Sequence, residues 1–395
     1  MNSFQKVIFC VLAWSAQHAF AQDTVTVNEP LGFGMDDSLS FGGRSPVLDL
    51  GQLGQWTLST VVSGLGFTQS KAVAGNPSST ADFSNAQLLI QKNTGTWQFF
   101  VQTGLYSVFE LGVPYNRAEN YTNTTFGWVP QAYVSYVPDA HWSVSAGKLP
   151  AMGGYEATFS YQNLNIQRGL LWAQTNSVST GIQVNHTDGG VSTSFTWNDG
   201  SYSGKFNWLG ASVTVQANEA NSLTASWVGA VSPNSQDNVT TPVLQNNSEV
   251  VNLIYKYDHD QWMVAPYLQY TVIPANPSIG LADTHQTYGA AVLVNYRIAN
   301  PEAGARHAAK ISLPMRLEYL STTGGTSYGE PMLLYGPNSA AWSFTVTPTY
   351  QYDNYFIRLE ASYVQAINPV PGSSYGRAGT QNSQVRGLVE LGFLF

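Results

Sequence analysis

The chain of 395 residues is poor in charge: 10% of its residues are charged and the formal net charge is −8, whereas hydrophobic residues make up 43%. Ordinary soluble domains carry about 25% charged residues. The lack of any basic block argues against a nucleic-acid partner, and no apolar run approaches the ~18 residues of a membrane-spanning helix. Polarity comes instead from Ser, Thr, Asn, Gln and Gly, a mixture that suits short strands with one lipid face and one wet face.

The first residues have the features of a secretory signal peptide. Lys6 supplies a positive charge, residues 7–14 form a short apolar run, and an Ala-x-Ala cleavage site ends at Ala21. Cys10, the only cysteine, lies inside the apolar run, so we expect a mature chain without a disulfide. We assign residues 1–21 to the signal peptide and exclude them from the fold.

Sixteen later segments show the alternation of apolar and polar residues that is typical of β-strands. In one of the clearest, Val292 and Arg297 stand on opposite faces. The segments are 54–69, 84–93, 95–107, 127–138, 141–149, 178–187, 190–198, 208–217, 221–230, 248–258, 261–273, 285–298, 308–321, 340–352, 354–365 and 384–395. No linker divides them, so we expect a lead-in segment in the periplasm at 22–53 and a single all-β domain at 54–395.

The connections between these segments alternate between short turns and long loops. The long ones are roughly 70–83, 108–126, 150–177, 231–247, 322–339 and 366–383. Short turns on one rim and long loops on the other indicate a transmembrane antiparallel β-barrel of about 16 strands, with both termini on the periplasmic, short-turn side. Aromatic residues near the strand ends fit two membrane-interface girdles: Trp142, Trp262, Trp342, Tyr257, Tyr296, Tyr319 and Tyr352.

Four residues fit this pattern poorly. Pro266, Pro314 and Pro348 fall inside predicted strands, although a closed barrel has no free edge to host a proline. We expect a bulge or a misplaced boundary at each. Lys148 falls on an apolar parity, where its long side chain could reach the rim.

Four short stretches in the middle of the chain resemble a hallmark region of the OmpL-like β-barrel porins. They are GKLP at 147–150, GGYE at 153–156, NLN at 163–165 and RGLL at 168–171. The order of signal peptide, many short strands and terminal phenylalanine is also similar to that family. The resemblance implies a porin of the Gram-negative bacterial outer membrane, which lets small hydrophilic solutes and ions diffuse passively through a water-filled barrel. It does not fix a substrate.

The same stretch forms the third long connection, 150–177. By analogy with general porins, in which the third loop folds into the lumen, we expect it to narrow the pore. Glu156 and Arg168 are its only charged residues, and across a constriction they would screen solutes by charge. A structural ion pair or a solvated loop pair remains an equally good interpretation.

The inward faces of the clearest strands carry more positive than negative charge. The expected pore-wall residues are Lys256, Arg297, Lys310, Arg316, Glu318, Arg358, Glu360, Arg386 and Glu390. Most other acidic residues fall in loops, where salt screens them. We therefore expect a weak preference for anions.

The last strand ends on an aromatic residue. Leu391, Phe393 and Phe395 share one parity, and Glu390 lies on the other. A terminal strand of this kind resembles the closing strand of outer-membrane barrels. The resemblance implies recognition of Phe393 and Phe395 by the barrel-insertion machinery, and it makes outer-membrane lipid a partner.

No catalytic or metal-binding arrangement is evident in the sequence. The histidines are scattered without metal-ligand spacing, and we expect no cofactor and no enzymatic activity. Three alternatives remain: a substrate-specific channel in which Trp128, Trp172 or Trp208 stacks on the solute, a surface adhesin or receptor on a plugged barrel, and an exported soluble β-sandwich. The sequence also leaves open whether the protein forms a homo-oligomer.

Overall fold

The computed structural model describes residues 34–41, 45–300, 308–324 and 335–395. The predicted signal peptide lies outside these residues, as does most of the connection at 299–307. Among the described residues, no helix is both long enough and apolar enough to span a membrane.

The described chain folds into one antiparallel sheet. Its strands are β1 (Val47–Asp49), β2 (Gln55–Gln69), β3 (Ser79–Lys92), β4 (Trp97–Tyr106), β5 (Gln131–Tyr136), β6 (Trp142–Pro150), β7 (Val178–Asp188), β8 (Val191–Asn198) and β9 (Trp208–Asn218). They continue with β10 (Asn221–Ala230), β11 (Glu249–His259), β12 (Trp262–Ile273), β13 (His285–Ala299), β14 (Ala309–Thr323), β15 (Ala340–Val346), β16 (Thr349–Tyr352), β17 (Tyr355–Ile367) and β18 (Ser383–Leu394). Because β15 and β16 are two halves of one barrel strand and β1 is a short addition, the predicted barrel of 16 strands is confirmed.

The barrel closes between β18 and β2. Their register runs from Arg386 opposite Gln69 to Leu394 opposite Val61. Beyond the end of β18, the strand β1 takes over and pairs with β2 through residues 55–57. One part of β2 therefore pairs with β18, and the part beyond the end of β18 pairs with β1. Backbone polar groups within a membrane need such hydrogen-bond partners.

The three prolines sit at interruptions of the hydrogen-bond ladder. Pro348 separates β15 from β16, and the Thr347 N–H donates to the Pro314 carbonyl at 2.8 Å. Between β11 and β12, the residue pair that would include Pro266 is missing from the ladder. The register is the same before and after this gap. A proline has no N–H to donate, so the local gap removes the conflict.

Apart from a few β-bulges, side chains alternate between the barrel interior and its outer surface. Leu391 is 56% exposed, whereas its neighbour Glu390 is fully buried. The outer surface carries aromatic pairs at both rims: Trp262 and Tyr296 at the short-turn end have ring centroids 4.7 Å apart, and Tyr270 and Tyr288 at the long-loop end are 5.1 Å apart. These pairs fit the predicted girdles.

The two rims differ as predicted. At one, β7 and β8 are joined by Gly189-Gly190, both with positive φ (53° and 81°) as a two-residue hairpin turn demands. The long loops at the other rim include two short helices, Ala118–Thr124 and Val243–Asn246. The described residues also form four 3₁₀ turns: Gly51–Leu53, Ser160–Gln162, Trp172–Gln174 and Pro277–Ile279.

Candidate permeation site inside the barrel

The loop between β6 and β7 folds into the barrel instead of standing above it. Every residue from 156 to 172 is buried. The side chains and backbone of this loop bond to β14, β17 and β18, on the far side of the lumen from β6 and β7. The loop therefore crosses the barrel.

One anchor of the loop lies on β14. Arg316 forms an ion pair with Glu156 of the loop and donates to the Gln167 carbonyl at 2.8 Å. Glu318, two residues along the same strand, accepts the Leu170 N–H at 3.1 Å, and its Oε2 lies 3.1 Å from Arg316 Nε. Arg316 thus holds the carboxylate of the loop, and Glu318 on the same wall strand holds the loop backbone.

A second anchor joins the loop to β17 and β18. Arg358 donates to the carbonyls of Asn163 (2.9 Å) and Ser160 (3.1 Å). Its Nε lies 3.0 Å from Glu390 Oε2, and the Ser160 hydroxyl donates to the other oxygen of Glu390 at 2.7 Å. The loop therefore supplies further hydrogen bonds to both members of the ion pair between β17 and β18.

Glu360 provides a third anchor on β17. Its carboxylate accepts the N–H groups of Ile166 (2.5 Å) and Gln167 (3.1 Å) and the Thr347 hydroxyl (2.7 Å). A buried carboxylate is tolerable only when such donors surround it. The loop backbone supplies them.

The innermost of the predicted pore-wall charges are thus engaged with the loop. Arg316, Glu318, Arg358, Glu360 and Glu390 all point into the barrel, as their sequence parity indicates, and all are almost completely buried. Their partners include the loop, each other and the wall hydroxyls of Ser63, Ser343 and Thr347. They hold the loop against the wall.

Arg386 on β18 fastens a second loop, residues 107–130. It donates to the carbonyls of Glu110 (2.7 Å) and Val113 (2.6 Å) of that loop, and also to Gln167 Oε1 at 3.1 Å. Two loops are therefore tied together at one guanidinium.

Glu156 and Arg168 do not pair with each other. Glu156 is held by Arg316, whereas the backbone of Arg168 bridges to loop 107–130 by donating to the Phe109 carbonyl at 2.7 Å. The Arg168 guanidinium is fully buried and makes no hydrogen bond to any residue that the structure describes. In the structure Glu156 thus anchors the loop, and Arg168 is a buried cation with the carboxylates of Glu156 and Glu110 near enough to act on it electrostatically. The transverse field across a pore stays a prediction.

The remaining predicted wall charges lie in the short-turn half of the lumen. Lys256, Arg297 and Lys310 contact residues 34–41, which run along the inner wall of the barrel. This part of the predicted lead-in segment therefore lies within the barrel. The sequence held one sign of this contact: Asp36 and Asp37 are adjacent acids in a chain with few charged residues.

One sector of the inner wall remains open to water. Seven inward side chains of β7 to β10 are half-buried and uncharged: Gln183, Asn185, Ser192, Ser194, Ser212, Thr214 and Thr224. They bond among themselves; for example, Ser194 Oγ donates to Asn185 at 2.8 Å and Thr214 and Thr224 hydroxyls lie 2.8 Å apart. We call these seven residues the hydroxyl–amide face. Strand alternation accounts for their orientation, whereas no local sequence pattern indicates that the loop leaves them uncovered.

A cavity of about 460 Å³ opens among the long loops, above the loop that crosses the lumen. Its lining includes Glu110, Val113, Leu244, Ile273 and Ser373. Burial raises the pKa of Glu110 to about 7, against the opposing effect of nearby guanidinium groups. The cavity thus carries a carboxyl group that changes charge near neutrality.

None of the three tryptophans proposed as stacking platforms lines this cavity. Trp172 and Trp208 are buried, and the Trp208 indole donates to the Asn246 carbonyl at 3.1 Å. Trp128 is exposed and donates to Asn123 at 3.0 Å. Trp128 and Trp208 thus bond to loop residues, and Trp172 packs in an apolar cluster of the lumen.

A closed barrel with a lipid-facing apolar surface, two aromatic girdles and an inward-folded loop defines a transmembrane channel protein of the porin class. The family model described as "Putative beta-barrel porin-2, OmpL-like" matches residues 57–395, and the chain belongs to that family. Its location is accordingly the bacterial outer membrane. The expectation drawn from residues 147–171 is confirmed.

Solved porins share the fold. An anion-selective porin from Comamonas acidovorans has a TM-score of 0.55 at 13% identity, covering 86% of this chain and 99% of that one. OmpT of Vibrio cholerae has a TM-score of 0.54 at 9% identity, covering 86% and 97%. Salmonella typhi OmpF, in a complex with daunomycin, has a TM-score of 0.53 at 14% identity, covering 86% and 98%. At these identities the likeness extends to the fold alone. No curated protein matches the chain.

Proposed function

We propose that the protein is an outer-membrane channel through which small hydrophilic solutes diffuse passively, with the loop at 151–177 as its constriction. The observation that supports this most is the buried loop lying across the lumen opposite the uncovered hydroxyl–amide face. Solute would pass between the two. Such transport needs neither energy coupling nor bond chemistry.

The charge arrangement favours selection by size and hydrogen bonding. Two groups of anchor charges are paired within a few ångströms, Arg316 with Glu156 and Glu318, and Arg358 with Glu390, and paired charges project little field into the lumen. The hydroxyl–amide face instead offers donors and acceptors that can replace water around a neutral solute. We therefore expect small uncharged polar solutes to permeate. Ions should also pass, with little discrimination between cations and anions.

A substrate-specific channel is the second candidate. The cavity above the constriction supports it, because apolar side chains such as Val113, Leu244 and Ile273 line it together with Glu110. Sites that bind small molecules commonly combine an apolar lining with a few polar groups.

Single-channel recording in planar bilayers tests the proposal. Replacing residues 156–172 with a shorter Gly-Ser linker should raise the conductance several-fold and admit larger sugars in liposome-swelling assays. The control is the same replacement at 274–280, which lies mostly exposed at the long-loop rim and should leave both readouts unchanged. Equal conductance in the loop variant and the wild type would place the constriction elsewhere, and a complete lack of conductance in both would favour a plugged receptor.

A further inference from the structure

Six uncharged polar side chains lie side by side on the inner wall, one on each of six neighbouring strands. The register places Ser194 opposite both Asn185 and Ser212. It places Ser226 opposite Ser212 on one side and opposite Asn252 on the other. Asn252 in turn lies opposite Gln269 of β12. Because opposite residues of neighbouring strands share one level of a sheet, these six residues form a continuous line that we call the polar row: Asn185, Ser194, Ser212, Ser226, Asn252 and Gln269.

The two halves of the polar row differ in exposure. The half on β7 to β9 belongs to the hydroxyl–amide face and is half-buried. In the other half, Ser226, Asn252 and Gln269 are 6%, 1% and 4% exposed. Four polar atoms of this buried half have no hydrogen-bond partner among the residues that the structure describes: the Ser226 hydroxyl, the oxygen and nitrogen of the Asn252 amide, and the Gln269 amide oxygen. Since buried polar atoms are costly when unpaired, this half of the row is suited to bond with a ligand.

Apolar side chains flank the buried half of the row. Val250 and Ile254 lie two positions on either side of Asn252, on the inner face of β11, and both are buried. The row itself contains no charged residue. The inward cation of β11, Lys256, is four positions from Asn252 and pairs with Asp36. A fitting ligand therefore carries several hydroxyl groups next to C–H surface and gains no partner for a net charge.

The beginning of the constriction loop, residues 152–155, covers this half of the row. Met152 packs against the apolar cluster that includes Val228 and Val250, which are inward neighbours of the row on β10 and β11. Gly153 lies so close to the wall that a Cβ there would be 3.1 Å from Val228 Cγ2. These contacts are apolar, whereas ion pairs and hydrogen bonds hold the far part of the loop on β14, β17 and β18. The cover is thus the more easily displaced end of the loop.

We propose that the polar row is a binding site for a neutral sugar, and that residues 152–155 are displaced when the sugar binds. The Asn252 amide donates to one sugar hydroxyl and accepts from another, and Ser226 and Gln269 bond to neighbouring hydroxyls. Val250 and Ile254 contact the C–H face of the sugar ring. From Ser212 to Asn252 the row spans two interstrand spacings, about 10 Å, which suits a disaccharide. The site rests on the proposed function, to which it adds a class of solute.

Calorimetric titration of maltose, sucrose and lactose into detergent-folded protein tests the site. Asn252→Leu removes both polar ends of the amide at similar volume. Because no described residue bonds to that amide, the variant should be at least as stable as the wild type, whereas its affinity for the bound sugar should fall at least tenfold. A structural asparagine would instead lose stability on replacement. Succinate and putrescine should show no binding that depends on Asn252.

Ser135→Ala is the matched control. Ser135 faces the lumen on β5, away from the row, and its hydroxyl lies 2.7 Å from that of Ser145, so the variant should keep the wild-type sugar affinity. Ser226→Ala deletes a single hydroxyl of the row and should weaken binding at least threefold, which decides the matter if Asn252→Leu does not migrate as a folded barrel in unheated gels. The proposal is overturned if none of the three sugars binds the wild type, or if folded row variants bind them as tightly as the wild type does.

Displacement of the cover has its own readout. A ligand that binds only when the cover is lifted binds less tightly in proportion to the fraction of lifted molecules. Met152→Ala weakens the contact of the cover with the wall, so sugar affinity should rise several-fold. Val239→Ala, at a side chain that is 77% exposed in a long loop, should change nothing. Equal affinity in Met152→Ala and the wild type would contradict displacement.

The binding assays need no membrane, so they separate the site from the channel. A protein that binds sugar at the row without conducting in bilayers would refute the proposed channel and keep the site. A conducting protein without sugar binding would keep the channel and refute the site.

Discussion

Replacing Arg358 tests whether the buried charges hold the constriction loop in place. Arg358→Met removes the partner of Glu390 and two donors to loop carbonyls at once. Breaking a buried ion pair by removing one partner typically costs about 3–5 kcal/mol, because the other charge is left without compensation. We expect a loss in this range if the loop stays docked.

The contacts predict an asymmetry between the two partners. In Glu390→Gln, Arg358 keeps both loop carbonyls as acceptors, so this variant should lose less stability than Arg358→Met. The double variant R358M/E390Q should cost less than the sum of the single changes, with a coupling energy of about 2–3 kcal/mol, as expected for residues in direct contact.

Urea unfolding in lipid vesicles measures these free energies, and single-channel recording detects an undocked loop as higher or noisier conductance. Arg377→Met is the control, because Arg377 is exposed in the loop before β18 and its loss should stay within about 0.5 kcal/mol. The reasoning is refuted if Arg358→Met changes neither unfolding nor conductance.

Three further outcomes are expected. Val292→Arg, on the lipid face, should lower the unfolding free energy by about 2–4 kcal/mol near the bilayer midplane, and Gln183→Arg, on the hydroxyl–amide face, should lower it much less; equal losses in the vesicle assay would contradict the assigned facing. Deleting Phe395, whose N–H donates to the Thr60 carbonyl at 2.9 Å, should reduce folded protein in outer-membrane fractions, and unchanged insertion would remove its role as a signal. Since burial raises the pKa of Glu110 to about 7, the carboxyl gains negative charge between pH 6 and pH 8, so cation permeability should rise over that interval in wild type and stay flat in Glu110→Gln.

The sequence specified the strands well because a barrel wall depends on local alternation. A lipid face demands apolar side chains at every second position, so strand position and facing are visible within ten residues. The break between β15 and β16 is the exception, although Pro348 marked the position. There the proline removes one ladder bond, and two shorter strands result.

The lumen could not be predicted in the same way, because its contacts join distant parts of the chain. Glu156 and Arg316 are separated by 160 positions, and no local pattern states that one is the partner of the other. Parity alone placed Arg316, Arg358 and Glu360 on the inner wall. It could not distinguish charges that face solute from charges that fix a loop, because both uses require the same orientation.

This distinction changes the expected ion selectivity. The sequence predicted a weak anion preference from a surplus of wall cations that included Lys256, Arg297 and Lys310. In the structure these three contact residues 34–41: Lys256 pairs with Asp36, Arg297 pairs with Asp37, and Lys310 donates to the Asp37 carbonyl. We therefore expect the wild type to show almost no preference between potassium and chloride.

The zero-current potential across a KCl gradient should lie close to zero for the wild type and shift clearly toward the chloride potential for D36N/D37N. Physiological salt screens charges beyond ~8 Å, and more concentrated salt screens them over shorter distances. The shift should therefore shrink as the KCl concentration rises. A strong anion preference in the wild type would mean that the segment does not neutralise the wall, and an unshifted potential in the variant would mean that permeating ions do not pass these cations.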